Sequence, residues 1–472
     1  MFVGRKTELK ELNALWASQN AQLVILKGRR RIGKSRLIEE FGRQAIFYVF
    51  SGVPPSAGTT AQTQRNEFAR QLSQQTGLPE IQADDWSKLF ILLSERIGNK
   101  QTVVLLDEIS WMGSLDPDFL GKLKTIWDLY FKKKPRLILV LCGSVSAWIE
   151  KNIIRHTGFL GRPSLYMTLE ELSLSESGAF WANDSEVSAF EKLKILSVTG
   201  GVPRYLELVD TSKSAELNIQ RMCFSKNGPL VQEFEYIFSD IFSNRTEIYK
   251  HIVQNLVDGP KTADELADLV KIVRTGTFDT YLQDLCLSGF ITRDYIWHFK
   301  TSKISKLSRY RLKDNYVRFY LKYILPNKYK IEKNLANQLY PNSLSEWPTI
   351  MGLQFENLVI HNPSLILEAL EVSCDSVVFN NPYFQRPTLR QSGCQIDYLI
   401  QTRFDTLYLC EIKFSKNPIG LSVVAPMQEK CHRLKVPRYM SKRPVLIHVN
   451  GITEELQESR YFSHIIDFGK FL

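Results

Sequence analysis

Eight residues, Gly28-Arg29-Arg30-Arg31-Ile32-Gly33-Lys34-Ser35, have the types and spacing to hold a phosphate chain. The pattern is G-x-x-x-x-G-K-[ST]. Gly28 and Gly33 let the backbone bend closely enough for its N–H groups to face phosphate oxygens at a helix N-terminus. Lys34 reaches β- and γ-phosphates, and the Ser35 hydroxyl is a ligand for Mg²⁺. The arginines Arg29, Arg30 and Arg31 contribute through backbone amides, while their side chains point outward and add positive field. Ile32 and Arg36 complete the nucleotide-binding segment.

Such a loop needs a strand before it and a helix after it. "QLVILKG" supplies an apolar run ending in glycine, and "SRLIEEFGR" turns to helical periodicity. A strand is expected at 45–50, another at "TVVLLDEISW" and a fourth at 136–144. Asp107 is expected in the Mg²⁺ shell, with Glu108 as the group that polarises the attacking water. Ser144 has two readings, a γ-phosphate sensor or the cap of the next helix.

A second chemical pattern lies near the other end. "CQIDYLIQTRFDTLYLCEIKFS" reads as two strands joined by a turn near Phe404-Asp405. Pairing them brings Asp397 and Glu411 together, and Lys413 shares the face of Glu411 because strand side chains alternate. Two carboxylates and a lysine suit a metal-assisted attack on phosphorus. Asp397 and Glu411 would hold Mg²⁺, and Lys413 would orient the water. Glu356 on a preceding helix and Gln428 on a following one are expected to complete the site. The plain alternative is a solvated salt-bridge ladder.

Between these regions, helices are expected at 246–256, 261–270 and 275–289, capped by Thr262 and by Thr275 or Thr277. An alternating hairpin follows, the order of a winged helix-turn-helix. Its hairpin holds Lys300, Lys303, Lys306, Arg309, Arg311 and Lys313 against one acid. Phosphate contact and simple domain packing both fit such a wing.

The ordered set "FVGR", "GRRRIGKS", "LLDEI", "CGS", Gly161-Arg162 and "GGVPRYL" resembles the prokaryotic archaeal-type ATPases at the AAA/STAND border, over about the first half of the chain. The resemblance implies that Val3, Gly4 and Arg5 border adenine. It implies that Arg162 is an arginine finger, acting in trans in a homo-oligomer, with a structural salt bridge as the alternative. Pro203 and Arg204 would form a nucleotide sensor on a helical lid. Such ATPases commonly end in a nuclease-like domain, and the C-terminal pattern is similar to the PD-(D/E)xK, restriction-endonuclease-like superfamily.

The expected fold is α/β: a P-loop parallel sheet at 1–168, a helical lid at 169–242, a winged helix at 243–330 and a restriction-endonuclease-like domain at 346–472. The expected cofactors are ATP and Mg²⁺, and the expected partner is DNA. The alternative is an ATP-gated scaffold or DNA-binding regulator with an inactive nuclease-like domain. With 472 residues, 44% hydrophobic and 23% charged, the chain is long enough for several cores. A net charge of +10 favours polyanionic partners. Seven scattered cysteines fit reduced thiols, the histidines show no metal-ligand spacing, and no apolar run is long enough to span a bilayer. A cytoplasmic protein is expected.

Overall fold

The computed structural model describes residues 2–472 except 57, 183–185, 243–245, 337–339 and 390. The boundary expected at Ser243 lies outside the described residues. The chain divides into two compact units, Met1–Glu171 and Leu172–Leu472.

In the first unit, α1 (Lys6–Ala14) leads to β1 (Gln22–Lys27), the glycine loop and α2 (Lys34–Phe41). Then come β2 (Ile46–Ser51), α3 (Ala61–Thr76), α4 (Trp86–Arg96), β3 (Thr102–Asp107), α5 (Phe119–Leu129), β4 (Leu137–Gly143) and β5 (Leu165–Thr168). The strands form one sheet in the order β2-β3-β4-β1-β5, and every pairing is parallel. Leu23 to Leu26, Val103 to Leu106 and Leu137 to Cys142 are buried. Both faces of these strands are covered, which is why each reads as an unbroken apolar run. Thr60 caps α3 by a capping box and Asp85 caps α4, so both crossover helices start at defined residues. Strand β4 lies between β1 and β3. The C-terminal ends of these three neighbours therefore meet along one edge, where ligands of parallel sheets bind.

After a short helix at Leu174–Gly178, the second unit has α6 (Ala189–Thr199), α7 (Pro203–Leu206), α8 (Ala215–Cys223) and a helix at Glu233–Phe242. Three helices follow, α9 (Thr246–Gln254), α10 (Ala263–Val270) and α11 (Gly276–Leu287), then an antiparallel hairpin of β6 (Ile291–His298) and β7 (Lys303–Leu312). Thr262 caps α10 through a box with Glu265, while Thr275 stands at the cap position of α11 without a side-chain bond. After α12 (Asn315–Phe319) and α13 (Trp347–Ile360) comes a mixed sheet. It is built from β8 (Val377–Gln385), β9 (Cys394–Thr402), β10 (Thr406–Lys413), β11 (Ser441–His448) and β12 (His464–Asp467), with α14 (Val424–Arg433) between β10 and β11. The order is β12-β11-β10-β9-β8. Strands β8–β9 and β9–β10 are antiparallel, and β10–β11 and β11–β12 are parallel.

The three segments expected beyond residue 168 share cores. Leu193, Leu196 and Leu206 pack with Phe355, Ile400 and Ile412. The hairpin is equally embedded: Trp297 stacks on Phe379 at 5.0 Å and Phe299 on Tyr383 at 5.1 Å. Burying two such rings is worth about 2–3 kcal/mol each, far more than the tenths lost by crowding exposed lysines. Beneath it, Arg311 is buried and pairs with Asp294 at 3.0 Å, and Asn357 donates to the carbonyls of Leu312 at 3.0 Å and Lys313 at 3.1 Å. Of the expected basic wing, Arg311 is therefore a packing residue. Arg309 lies over the Phe384 ring at 4.0 Å, while Lys300, Lys303 and Lys306 are exposed.

Candidate functional site

At the sheet edge the glycine loop curls over the start of α2. A Cβ on Gly28 would lie 2.4 Å from the Leu169 carbonyl oxygen, so only glycine permits this approach. Gly33 begins α2 at φ 90°, in the left-handed region that a side chain strains. Lys34 is buried, and its Nζ donates to the carbonyl oxygens of Gly28 and Arg29, both at 3.0 Å. Its ammonium thus sits inside the loop. Ser35 Oγ donates to Asp107 Oδ2 at 2.6 Å, bringing a hydroxyl and a carboxylate together as a hard-cation donor pair.

Glu108 follows β3 in a left-handed turn, φ 50°. Its Oε2 accepts the Ser144 backbone N–H at 3.1 Å and the Ser144 hydroxyl at 2.8 Å. Burial raises the Glu108 pKa and Asp107 adds to this, while Lys34 and the Ser144 bonds pull it back; the net direction is upward. Ser144 does not cap the next helix, whose cap position is Val145.

Arg5 is buried at φ 62° and donates to the carbonyls of Ile32 at 3.0 Å and Glu170 at 2.7 Å. It ties the Val3-Gly4 turn to the loop. Arg29 is also buried, with Glu171 at 3.6 Å, so at least one of the three arginines faces inward and meets an acid. Arg30 is half-buried, Arg31 is exposed at φ 70°, Ile32 is buried and Arg36 is exposed. Arg162 donates to both oxygens of Asp128, at 2.9 and 2.8 Å. In the second unit Pro203 opens α7, and Arg204 is exposed and paired with Glu207 at 3.0 Å.

The C-terminal carboxylates also meet. The β9–β10 register sets Leu409 opposite Leu399 and Cys410 opposite Tyr398; one step further brings Glu411 beside Asp397. Asp397 Oδ2 accepts the Ile412 N–H at 3.0 Å, and Glu411 Oε1 pairs with Lys413 at 2.8 Å. Glu356 is half-buried on α13, its carboxyl pushed up to about 8 by burial and then by the charge of Asp397. Gln428 is exposed on α14, and among the described residues its side chain makes no hydrogen bond. Lys430, two residues on, takes the central place. Its Nζ lies 3.2 Å from Asp397 Oδ1 and bonds Glu411 Oε2. Burial acts to raise Glu411, but Lys430 and Lys413 outweigh it and hold the group low. Burial opposes the Lys430 charge, and the two acids outweigh that and raise its pKa. Lys430 carries no signal in the sequence, because a lysine on an amphipathic helix bears no mark of which strand pair it faces. Among the described residues no three His, Cys, Asp or Glu side chains gather to hold a metal ion. Nor is any helix among them long and apolar enough to cross a membrane.

The parallel sheet and the loop-to-Asp107 constellation define a P-loop ATPase domain that binds ATP. Residues 2–209 match the family described as an ATPase domain predominantly from Archaea. An uncharacterized protein of Methanocaldococcus jannaschii is 26% identical over 363 residues, 76% of this chain and 76% of the relative. An uncharacterized ATP-binding protein of the same organism is 54% identical over 41 residues, 9% of this chain and 70% of the relative. The Walker-type ATPase of Pyrococcus abyssi superposes with a TM-score of 0.50 at 15% identity, over 68% of this chain and 96% of that chain. At that identity the likeness speaks for the fold alone.

Proposed function

We propose that the chain hydrolyses ATP at the Lys34–Glu108 site and couples this to DNA binding by its second unit. The observation that carries the reading is the meeting of Lys34, Ser35, Asp107, Glu108 and Ser144 at one sheet edge. Backbone amides of residues 28–35 cradle the phosphates, and Lys34 exchanges its carbonyl partners for phosphate oxygens. Ser35 and Asp107 would hold Mg²⁺, which would supply positive charge to offset that of the transferring phosphoryl group. Glu108 orients the attacking water, and Ser144 fixes its carboxylate. Val3, Gly4 and Arg5 border the base, supported by the bond from Arg5 to the loop carbonyl of Ile32. Arg162 serves a neighbouring copy as a finger only by leaving Asp128. Pro203 and Arg204 are proposed as the lid sensor.

The helix–helix–helix–hairpin order supports a winged helix, and the mixed sheet with Asp397, Glu411 and Lys413 supports a nuclease-like domain acting on DNA. A second reading is favoured by Lys430: the domain binds without cleaving. Asp397 and Glu411 offer oxygens of the type Mg²⁺ takes, but an ammonium already bridges them. ATP turnover measured alone and with single-stranded, duplex or branched DNA tests the coupling. Stimulation by one form supports it; identical rates throughout remove it.

A further inference from the structure

A groove of about 950 Å³ runs between the β6–β7 hairpin, the end of β8 with the loop after it, and the segment following α14. Lys300, Arg386, Lys435 and Arg438 line it, and among the described residues that line it none is Asp or Glu. All four are exposed, and among the described residues none of them forms an ion pair. Elsewhere on this chain basic side chains commonly find acids; here four converge without one. Hydrogen bonds and ring packing hold parts of its lining. Gln385 donates to the Arg433 carbonyl at 2.8 Å and accepts the Lys435 N–H at 3.0 Å, and the hairpin side is anchored by buried Trp297 and Phe299. A channel lined by one charge sign focuses its field on a polyanion.

We infer that this groove binds the phosphate backbone of single-stranded DNA. Its volume is that of a small-ligand cleft, a scale that suits one strand laid along it better than the whole body of a duplex. A basic channel that tracks one backbone is how single strands are held. The inference rests on the reading that the second unit handles DNA, and it moves the contact from the hairpin's charge count to a defined surface.

The test is fluorescence anisotropy with the full chain. The probes are a labelled oligothymidylate of about a dozen nucleotides and a hairpin duplex of matching length. The Lys435→Glu/Arg438→Glu double variant is compared with a charge-matched control in the first unit, Lys132→Glu/Lys133→Glu, and thermal melting confirms that each is folded. The expected result is at least tenfold weaker oligothymidylate binding in the groove variant, with a log–log salt slope shallower by about 1.4, two single-strand phosphate contacts at ~0.7 each. The control should bind as wild type does. Unchanged binding in the groove variant, an equal loss in the control, or a wild-type preference for duplex overturns the inference. Duplex binding by a wild type that does not bind the oligothymidylate overturns it while leaving the broader DNA reading standing. Failure of the wild type to bind either probe removes both.

Discussion

Ser144 gives both its backbone N–H, at 3.1 Å, and its hydroxyl, at 2.8 Å, to a single carboxylate oxygen of Glu108. The two residues end neighbouring strands, so the sheet itself sets their spacing. A carboxylate that burial disfavours as an anion is thereby kept oriented.

Ser144→Ala removes the hydroxyl bond and keeps the backbone one. A hydrogen bond to a charged group contributes about 1.5–3 kcal/mol, and part of that is expected to fall on the transition state. kcat for ATP should drop about tenfold while KM for ATP stays near wild type. A steady-state titration checks this, and an unchanged kcat would separate Ser144 from the chemistry.

Arg162 holds Asp128 through two bonds, and Lys124 adds to them; together they depress the carboxyl to about 2 against the opposing effect of burial. A depressed acid contributes stability above its unfolded pKa, near 3.9, and that contribution fades as pH falls toward 2. Both side chains are about a quarter exposed, so solvent screening keeps the pair under about 1 kcal/mol. Arg162→Ala should therefore lower the melting temperature slightly at pH 7 and converge on wild type as pH drops below 4. A gap that widens in acid contradicts the pairing. Lost ATPase activity at pH 7 with little change in melting would favour the finger role.

Much of the nucleotide site was legible because its chemistry fixes spacing. Glycines at positions 28 and 33, a lysine and a hydroxyl leave few alternatives, and Asp107-Glu108 close an apolar run. Ser144 kept two readings in the sequence, since only the placement of β4 beside β3 aims it at Glu108. The hairpin misled by charge count. Alternation along β7 breaks at its end, where Tyr310, Arg311 and Leu312 are all buried, and a charge total does not say which cations turn inward. Lys430 was invisible because α14 meets the β9–β10 pair through long-range packing that no local pattern encodes.

Lys430→Ala leaves Asp397 and Glu411 without their shared cation. Breaking a fully buried pair costs about 3–5 kcal/mol; Lys430 is 26% exposed, so a loss of about 1–3 kcal/mol is expected. The vacated carboxylates should then take Mn²⁺, restoring several degrees of melting temperature in the variant but not in wild type. An equal Mn²⁺ shift in wild type would show that Lys430 yields to metal freely.

The most direct test of the ATPase site pairs nucleotide binding with turnover in wild type and Glu108→Gln. ATP affinity in Glu108→Gln is expected to stay close to wild type, with Mg²⁺-dependent hydrolysis reduced by about 10²–10⁴-fold. Hydrolysis at the wild-type rate in Glu108→Gln would contradict this, as would a wild-type chain that binds ATP and never turns it over.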